Sequence, residues 1–249
     1  MIDLHSHILA GIDDGASCLA DSIALINQSI ATGVSKIIAT PHIHFGTFDN
    51  NLHTIEQVFN PLCQEIQKAM MTVDIAFAAE VRICPEIMLL VKNNKIPFLG
   101  KVNEKNALLL EFPHSHIIPG SEKLTAWLLA NNIQPIIAHP ERNRDLWLHP
   151  TLINDFVKQG CLLQITAASL LGDFGERSEQ LAWQFLDLDI VHLIASDMHN
   201  IKRRPNRMAD AFRLVAERFG EPLANKLCCD NAALIFATNN TVQSFKGPQ

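Results

Sequence analysis

Short apolar runs alternate with longer amphipathic stretches along almost the whole chain, and this alternation restricts the available folds more than any other feature. The apolar runs have the length and composition of buried strands and lie at about residues 1–7, 34–41, 73–81, 106–112, 133–139, 161–167 and 190–197. The other stretches have helical periodicity and lie at roughly 19–32, 54–71, 85–94, 120–132, 150–159, 176–188, 206–219 and 221–237.

Regular alternation of strands and helices predicts an α/β protein with a parallel sheet that helices cover. Seven or eight such repeats can close into a barrel, and an open, doubly wound sheet is the alternative. No linker rich in Pro, Gly or Ser and no low-complexity tract interrupts residues 1–249. We therefore expect one domain.

The ends of the predicted strands carry potential metal ligands, since six of the seven strands finish on His, Asp or Glu. The carboxyl ends of the strands in a parallel barrel share one face, so these side chains should converge on a single mouth. Alternate residues of a strand point the same way, which pairs His5 with His7 and Asp197 with His199. The complete set is His5, His7, His42, Glu80, Glu111, His139, Asp197 and His199.

These residue types favour a metal site. Imidazole nitrogen and carboxylate oxygen bind Zn, Mn and Fe ions, whereas a soft thiolate site would place Cys at these positions. Two or three neighbouring ions also need bridging acids, for which Glu80, Glu111, Asp14 and Asp197 are candidates. One His at a strand end is usually structural, but several buried charged groups at one mouth are costly without a metal. The pattern predicts a polynuclear site suited to phosphate ester hydrolysis.

Two arginines follow the strand ends closely and are candidates for phosphate binding, because guanidinium matches the geometry of phosphate oxygens. Arg142 lies three residues after His139, and Arg204 lies five residues after His199. Arg203 is adjacent to Arg204, and spacing alone does not separate them.

The other six histidines fall into two groups. Three lie in loops just beyond the second and fourth strands and are weaker candidates for the site: His44, His114 and His116. Three are expected to be surface or structural residues: His53, His149 and His192.

The charge and the N-terminal residues exclude several classes of protein. A net charge of -6 without basic clusters argues against a nucleic-acid surface. Residues 1–7 have no basic or apolar region typical of a signal peptide, and no stretch is apolar for long enough to cross a bilayer. The six Cys residues have no CxxC or framework spacing. We expect a cytoplasmic protein with reduced thiols.

At this point the motifs carry a family resemblance. The segments MIDLHSHILAGIDDGA, IIATPH, LLLEFP, IIAHPERN and IASDMHN, together with Glu80, resemble the polymerase and histidinol phosphatase (PHP) superfamily. More narrowly, they are similar to its bacterial metal-dependent protein tyrosine phosphatases, which are encoded with capsule and exopolysaccharide genes. The resemblance runs in order from residue 1 to about residue 205.

The resemblance implies a distorted seven-stranded β/α barrel of the TIM-like type with a trinuclear metal site, usually manganese, with iron or zinc as alternatives. It implies that Arg142 and Arg204 bind phosphate, and that the substrate is phosphotyrosine, notably on the cytoplasmic tail of a membrane-anchored tyrosine kinase. Asp13 is the alternative to Asp14 as a ligand. The implied ligands are His5, His7, Asp14, His42, Glu80, Glu111, His139, Asp197 and His199.

Several other functions compete with this interpretation. A related enzyme could act on a small phosphomonoester such as histidinol phosphate, and a nucleic-acid phosphodiesterase is disfavoured by the acidic charge. A regulatory metal protein without catalysis is a further possibility from a different class. A cysteine-based tyrosine phosphatase is excluded, because it needs Arg six residues after its Cys and none of the six Cys residues has one.

Overall fold

The strands follow the predicted order in this computed structural model, which describes residues 1–247. All seven predicted strands are present, and the second and third are each divided by a kink. The strands are β1 (Ile2–Ser6), β2 (Lys36–Ala39), β3 (His42–Ile43), β4 (Val73–Phe77), β5 (Glu80–Arg82), β6 (Lys101–Val102), β7 (Lys105–Glu111), β8 (Ile133–Ala138), β9 (Leu162–Thr166), β10 (Leu193–Ala195) and β11 (Gln243–Phe245).

The helices cover the outside of these strands, and most lie within two or three residues of the predicted bounds. No helix within residues 1–247 is both long and apolar enough to span a membrane. The α-helices are α1 (Leu19–Ala31), α2 (Leu52–Lys68), α3 (Ile87–Lys92), α4 (Ser121–Ala130), α5 (Arg144–Leu148), α6 (Ile153–Gln159), α7 (Glu176–Asp187), α8 (Met208–Phe219), α9 (Glu221–Asn225) and α10 (Asn231–Phe236).

The parallel sheet closes into a distorted barrel. The strand order is β1-β2-β4 in one part and β3-β5-β7-β8-β9-β10 in the other, and β2 and β4 continue after their kinks as β3 and β5. The ring closes between β10 and β1, where the Asp197 N–H donates to the His5 carbonyl and the His7 N–H donates to the Met198 carbonyl, both at 2.9 Å. This closure confirms the barrel and excludes the open sheet.

Alternation along the strands separates the interior of the barrel from its outer wall. In β7, Ala107 and Leu109 belong to the inner apolar cluster, whereas Leu108 and Leu110 pack with the outer cluster under the helices. Glu111 continues the inward series at the carboxyl end of the strand. The inner cluster also contains the apolar side of α10, which lies near the amino-terminal ends of the strands and leaves the opposite mouth free.

Two short strands were not predicted from the sequence. β6 forms an antiparallel hairpin with β7 through Asn103 and Glu104, whose φ angles of 47° and 66° fit a tight two-residue turn. β11 pairs antiparallel with β4. Of β4 and β5, only β5, beyond the kink, pairs with β7, so β4 has an open edge that β11 can cover. The predicted helix 221–237 is divided by a π-helical turn at Lys226–Asp230.

Candidate metal centre

The carboxyl ends of the strands surround one cavity of about 280 Å³. Of the predicted ligands, His5 and His7 are fully buried behind the cavity, where they contact Glu80 and Asp197 of the cavity wall. The predicted residues that line the cavity itself are Asp14, His42, Glu80, Glu111, His139, Arg142, Asp197, His199 and Arg204. The structure thus brings together all eleven residues that the sequence singled out for the site.

Hydrogen bonds fix the orientation of the two innermost imidazoles. The side-chain amide of Gln164 donates to the Ile165 carbonyl, so its oxygen accepts a hydrogen bond from Nδ1 of His5 at 2.7 Å. Asp13 Oδ2 accepts a hydrogen bond from Nδ1 of His7, also at 2.7 Å. When these rings are neutral, as metal binding requires, Nδ1 keeps the proton and each Nε2 presents a lone pair to the cluster. This arrangement is typical of metal-binding histidines.

The two lone pairs face each other and two carboxylates. The Nε2 atoms of His5 and His7 are 3.2 Å apart. Glu80 Oε2 lies 3.2 Å from the first and 3.3 Å from the second, and Asp197 Oδ1 lies 3.4 Å from each. Four electron-rich atoms around one point repel each other unless a positive charge lies among them. The donor set therefore fits a divalent cation.

Charges in this inner group shift the ionisation of its members. Burial opposes charge on His7, but the carboxylates of Asp13, Asp197 and Glu80 hold the pKa of His7 well above its usual value. Burial likewise opposes ionisation of Glu80, yet the imidazoles of His5 and His42 hold the pKa of Glu80 well below its usual range. The inner group attracts positive charge strongly.

Polar atoms without well-formed hydrogen bonds mark the part of the cluster nearer the cavity. Within residues 1–247, four buried atoms of the predicted ligands have charged neighbours nearby but make no hydrogen bond of good geometry: His42 Nδ1, Glu80 Oε2, Glu111 Oε2 and His199 Nε2. Burial of such atoms is costly unless a ligand satisfies them. Burial and the neighbouring Glu80 carboxylate raise the pKa of Glu111 to about 7.

The same side chains form overlapping groups with the spacing of metal ligands. Several sets have ligand atoms within 4.8 Å of one another: His5, His7 and Glu80; His42, Glu80 and Glu111; His5, His139 and Asp197; and His7, Asp14, His42 and His199. Glu80 belongs to two of these sets, as expected of a bridging acid. The residues present therefore fit more than one cation.

The structure separates the roles of the two neighbouring aspartates. Asp13 is buried beneath the loop and binds Nδ1 of His7 and the backbone N–H of Gly15. Asp14 faces the cavity with its side chain 51% exposed, 3.4 Å from Nε2 of His42 and 3.3 Å from Nε2 of His199. Asp14 is thus the residue of the pair that reaches the cluster, and Asp13 orients the His7 ring.

Two residues enter the cluster through unusual backbone conformations. His139 has φ 32° and ψ 53°, and Asp197 has φ 51°, both in the left-handed region that disfavours residues with a Cβ. The turn at His139 brings its Nε2 to 2.8 Å from Glu80 Oε1, although Ala138 already occupies the inward position. Burial and the nearby Arg142 lower the pKa of His139 to about 3, so its ring is neutral.

The two predicted phosphate-binding arginines meet at one carboxylate oxygen. Arg142 Nη1 lies 2.5 Å and Arg204 Nη2 lies 2.6 Å from Asp197 Oδ2, while Oδ1 of the same residue faces His5 and His7. Asp197 therefore links the arginines to the inner group. Arg203 lies on the exposed side of its loop and borders a separate cavity with Asn200 and Lys202, so only Arg204 of the adjacent pair reaches the site.

The weaker histidine candidates have different positions. His114 and His44 line the cavity, and His114 Nε2 lies 3.3 Å from Arg142 Nη2. Burial and Arg142 lower the pKa of His114 to about 4. His116 is outside the cavity lining, where it contacts Ser115.

Sequence reasoning missed three residues of the site. Gln164 orients His5 and comes from β9, which has no acidic residue or His at its end. Arg82 lines the cavity with its Nε 2.8 Å from Glu111 Oε2. Phe174 stacks against both Arg142 and Arg204. Arg82 could have been found, since it lies two residues after Glu80 on the same strand and faces the same side.

Comparison with known proteins agrees with this arrangement. The model of the family described as "Capsular polysaccharide synthesis, CpsB/CapC" matches residues 1–237. The chain belongs to the CpsB/CapC family. The match covers all strands of the barrel and all the residues of the cluster.

Members of the CpsB/CapC family with names and structures resemble this chain over most of its length. Tyrosine-protein phosphatase YwqE of Bacillus subtilis is 33% identical over 242 residues, which are 97% of this chain and 93% of YwqE. The putative tyrosine-protein phosphatase CapC of Staphylococcus aureus is 34% identical over 85% of this chain and 82% of CapC.

The fold of the CpsB/CapC family is also known from crystal structures. A chain from the study of YwqE of Bacillus subtilis and CpsB of Streptococcus pneumoniae, described there as unique metal-dependent tyrosine phosphatases, superposes on this chain with a TM-score of 0.89. The two are 31% identical, and the superposition covers 100% of both chains. This confirms the predicted family and α/β barrel.

Proposed function

We propose that this member of the CpsB/CapC family is a metal-dependent phosphoric monoester hydrolase that dephosphorylates phosphotyrosine in proteins. One observation carries the proposal: Asp197 offers Oδ1 to the histidine cluster and Oδ2 to Arg142 and Arg204. Cation-binding and anion-binding groups thus lie on two sides of one carboxylate, at a single cavity. A phosphate ester needs both kinds of contact during hydrolysis.

The proposed cofactor is manganese, up to three ions, with iron or zinc as alternatives that accept the same ligand types. Divalent ions held by these residues would act as Lewis acids that activate water and neutralise phosphate charge. We assign the whole of residues 1–249 to one metallophosphatase domain. The proposed ligands are His5, His7, Asp14, His42, Glu80, Glu111, His139, Asp197 and His199.

The residues of the chain have distinct tasks in this proposal. Arg142 and Arg204 bind phosphoryl oxygens through the N–H groups that Asp197 does not occupy. Gln164 and Asp13 hold His5 and His7 in the orientation that ligation requires. Tyrosine has a pKa near 10, so its phenolate departs readily and little proton donation is needed. No cysteine is among the residues that line the cavity, which excludes a cysteinyl-phosphate intermediate. In this proposal water attacks phosphorus directly, without a phosphoenzyme.

The proposed substrate is a phosphotyrosine-bearing protein, in particular the cytoplasmic tail of a membrane-anchored tyrosine kinase that controls capsule or exopolysaccharide synthesis. The names of YwqE and CapC as tyrosine-protein phosphatases support a phosphotyrosine-bearing protein as substrate, and the description of the family supports a link to capsule synthesis. We place the protein in the cytoplasm, where such a tail lies. No nucleic acid and no membrane insertion enter the proposal.

The proposal is tested with p-nitrophenyl phosphate before chelation, after chelation and after manganese is added back. We expect activity to disappear with the metal and to return with it, and activity indifferent to both treatments contradicts the proposal. His42→Ala and Asp197→Ala should abolish turnover while the far-ultraviolet circular dichroism remains that of the folded barrel. Full activity of either variant refutes its assignment.

The substrate class is tested separately by comparing kcat/KM for a phosphotyrosyl peptide with that for histidinol phosphate. A preference for the peptide supports the proposal. A preference for histidinol phosphate would instead assign the chain to small phosphomonoesters. Metal analysis of anaerobically purified protein identifies the ions.

A further inference from the structure

We propose that Phe174 is a positioning residue that holds Arg142 and Arg204 ready to bind the phosphoryl group. The inference rests on the proposed function, because that function gives the two arginines their task. It adds an aromatic residue that is neither a metal ligand nor part of the cavity lining. The ligand that the two positioned arginines would bind is a tetrahedral oxyanion.

One ring contacts both guanidinium groups. The Cζ atom of Arg142 lies 4.2 Å from the centre of the Phe174 ring, and the Cζ atom of Arg204 lies 5.6 Å from it. Both distances are within the range in which an aromatic face attracts a cation. The arginines come from loops after β8 and β10, and Phe174 comes from the loop after β9, so the ring lies between its two neighbours in the barrel.

Two glycines with left-handed φ angles shape the loop that carries Phe174. Gly172 and Gly175 flank it with φ angles of 77° and 90°, a conformation that residues with a Cβ rarely adopt. Phe174 is half-buried, and it belongs to neither of the two apolar clusters of residues 1–247. Its contacts with the arginines therefore account for its burial better than packing in the core does.

Stacking on a ring restrains a guanidinium without using its N–H groups. Aromatic contact takes the flat face, whereas hydrogen bonds form in the plane. Asp197 Oδ2 takes one N–H from each arginine, and the Cζ atoms of both guanidinium groups lie over the Phe174 ring. The other in-plane donors stay available at the cavity that both arginines line. Such preorganisation increases affinity by lowering the entropy lost on binding.

The experiment measures the dissociation constant of inorganic phosphate from the manganese-loaded protein by calorimetry, and the KM and kcat for p-nitrophenyl phosphate. Phe174→Leu should weaken phosphate binding and raise KM about tenfold, with unchanged manganese content and unchanged thermal midpoint. Phe174→Trp, which keeps an aromatic face, should remain close to the parent. A purely structural role would lower the thermal midpoint instead.

The chain offers a matched control in Phe219 on α8. Arg218 lies with its Cζ 5.3 Å from the Phe219 ring. Arg218 is exposed, Phe219 is partly buried against the outer apolar cluster, and neither residue lines the cavity. Phe219→Leu removes a similar stacking contact and should leave phosphate binding unchanged. An equal loss in the two Leu variants overturns the inference.

A double variant tests whether Phe174 acts through the arginines. In an Arg142→Gln background the effect of Phe174→Leu on the phosphate dissociation constant should shrink, because one of the two stacked cations is gone. The same fold-change in both backgrounds overturns the inference, as does unchanged phosphate binding in Phe174→Leu.

The outcomes also separate this inference from the proposed function. If the protein binds phosphate through Phe174 but hydrolyses no phosphotyrosine, the positioning role stands and the proposed substrate is wrong. If phosphotyrosine is hydrolysed and Phe174→Leu behaves like the parent, only the positioning role is wrong.

Discussion

Asp13 Oδ2 lies 2.7 Å from Nδ1 of His7, and this contact determines which nitrogen of the ring faces the cluster. The carboxylate can only accept a hydrogen bond, so in the neutral ring Nδ1 carries the proton and Nε2 carries the lone pair. The same aspartate accepts the backbone N–H of Gly15, which fixes its position. One buried acid therefore sets the tautomer of an innermost histidine.

Replacing Asp13 by Asn should weaken metal binding. The amide can donate to Nδ1, which would move the ring proton to Nε2 and remove the lone pair from the cluster. We expect manganese affinity to fall about 10- to 100-fold, measured by competition with a chelating dye. The exposed Asp155→Asn on α6 is the control and should bind manganese normally. Normal affinity in Asp13→Asn would show that the tautomer does not matter.

Adjacent arginines provide a paired test of phosphate binding. Arg204→Gln removes the 2.6 Å hydrogen bond from Arg204 Nη2 to Asp197 Oδ2. It also removes a cationic donor at the cavity, so kcat/KM should fall about 10²- to 10³-fold. Arg203→Gln makes the same chemical change on the exposed side of the loop and should leave kcat/KM unchanged. The reverse order of the two losses would assign phosphate binding to Arg203.

Glu141 makes the stability of the fold depend on pH. Burial raises the pKa of this carboxyl from its ordinary value of 4.5 to about 7, so the folded chain keeps a proton that the unfolded chain releases. The free energy of unfolding should therefore decrease as pH rises from 4.5 to 7, and the ionised carboxylate costs on the order of 3 kcal/mol above that window.

The variant Glu141→Gln tests this dependence by urea unfolding. Its amide oxygen can still accept the hydrogen bonds that Thr166 and Ser169 donate, and it does not titrate. We expect the variant to be more stable than the parent at pH 8.5 and to lose most of that advantage at pH 5. The exposed Glu217→Gln on α8 is the control. A stability difference that is the same at both pH values would contradict the prediction.

Gly15 has no room for a side chain. A Cβ at this position would overlap the main-chain carbonyl oxygen of His7, so Gly15→Ala must displace the loop that carries Asp13 and Asp14. We expect a loss of roughly 1–3 kcal/mol in unfolding free energy together with reduced manganese content. Gly160→Ala is a useful comparison, because its φ of 98° is strained but the space around it is open. It should lose stability and keep its metal.

The barrel was predictable because its signal is local. Each strand is a short apolar run and each helix has its own periodicity, so the order of elements follows from neighbouring residues. The antiparallel strand β11 has no such pattern. It forms at Gln243–Phe245 because the edge of β4, far away in the sequence, is open. Pairing between such distant residues produces no pattern in a short window of sequence.

The convergence of the proposed ligands was predictable for a related reason, since the carboxyl ends of parallel strands must meet. The residues that orient them were not. Gln164 is 159 positions from His5, and its polar side chain at an inward position of β9 was the available sign. Asp13 and Asp14 are adjacent and identical in type, so only the path of the loop separates the one that orients His7 from the one that faces the cavity.

The left-handed backbone at His139 and Asp197 sets the thermal stability of the fold against its proposed activity. Each residue occupies a conformation that costs about 1–3 kcal/mol for a side chain with a Cβ, and both lie at the centre of the cluster. A laboratory selection for heat resistance alone should therefore favour His139→Gly, which relieves this strain. Asp197→Gly would relieve it too but would leave Arg142 and Arg204 without their shared carboxylate. Directed evolution of a more thermostable variant would therefore have to select for turnover in every round.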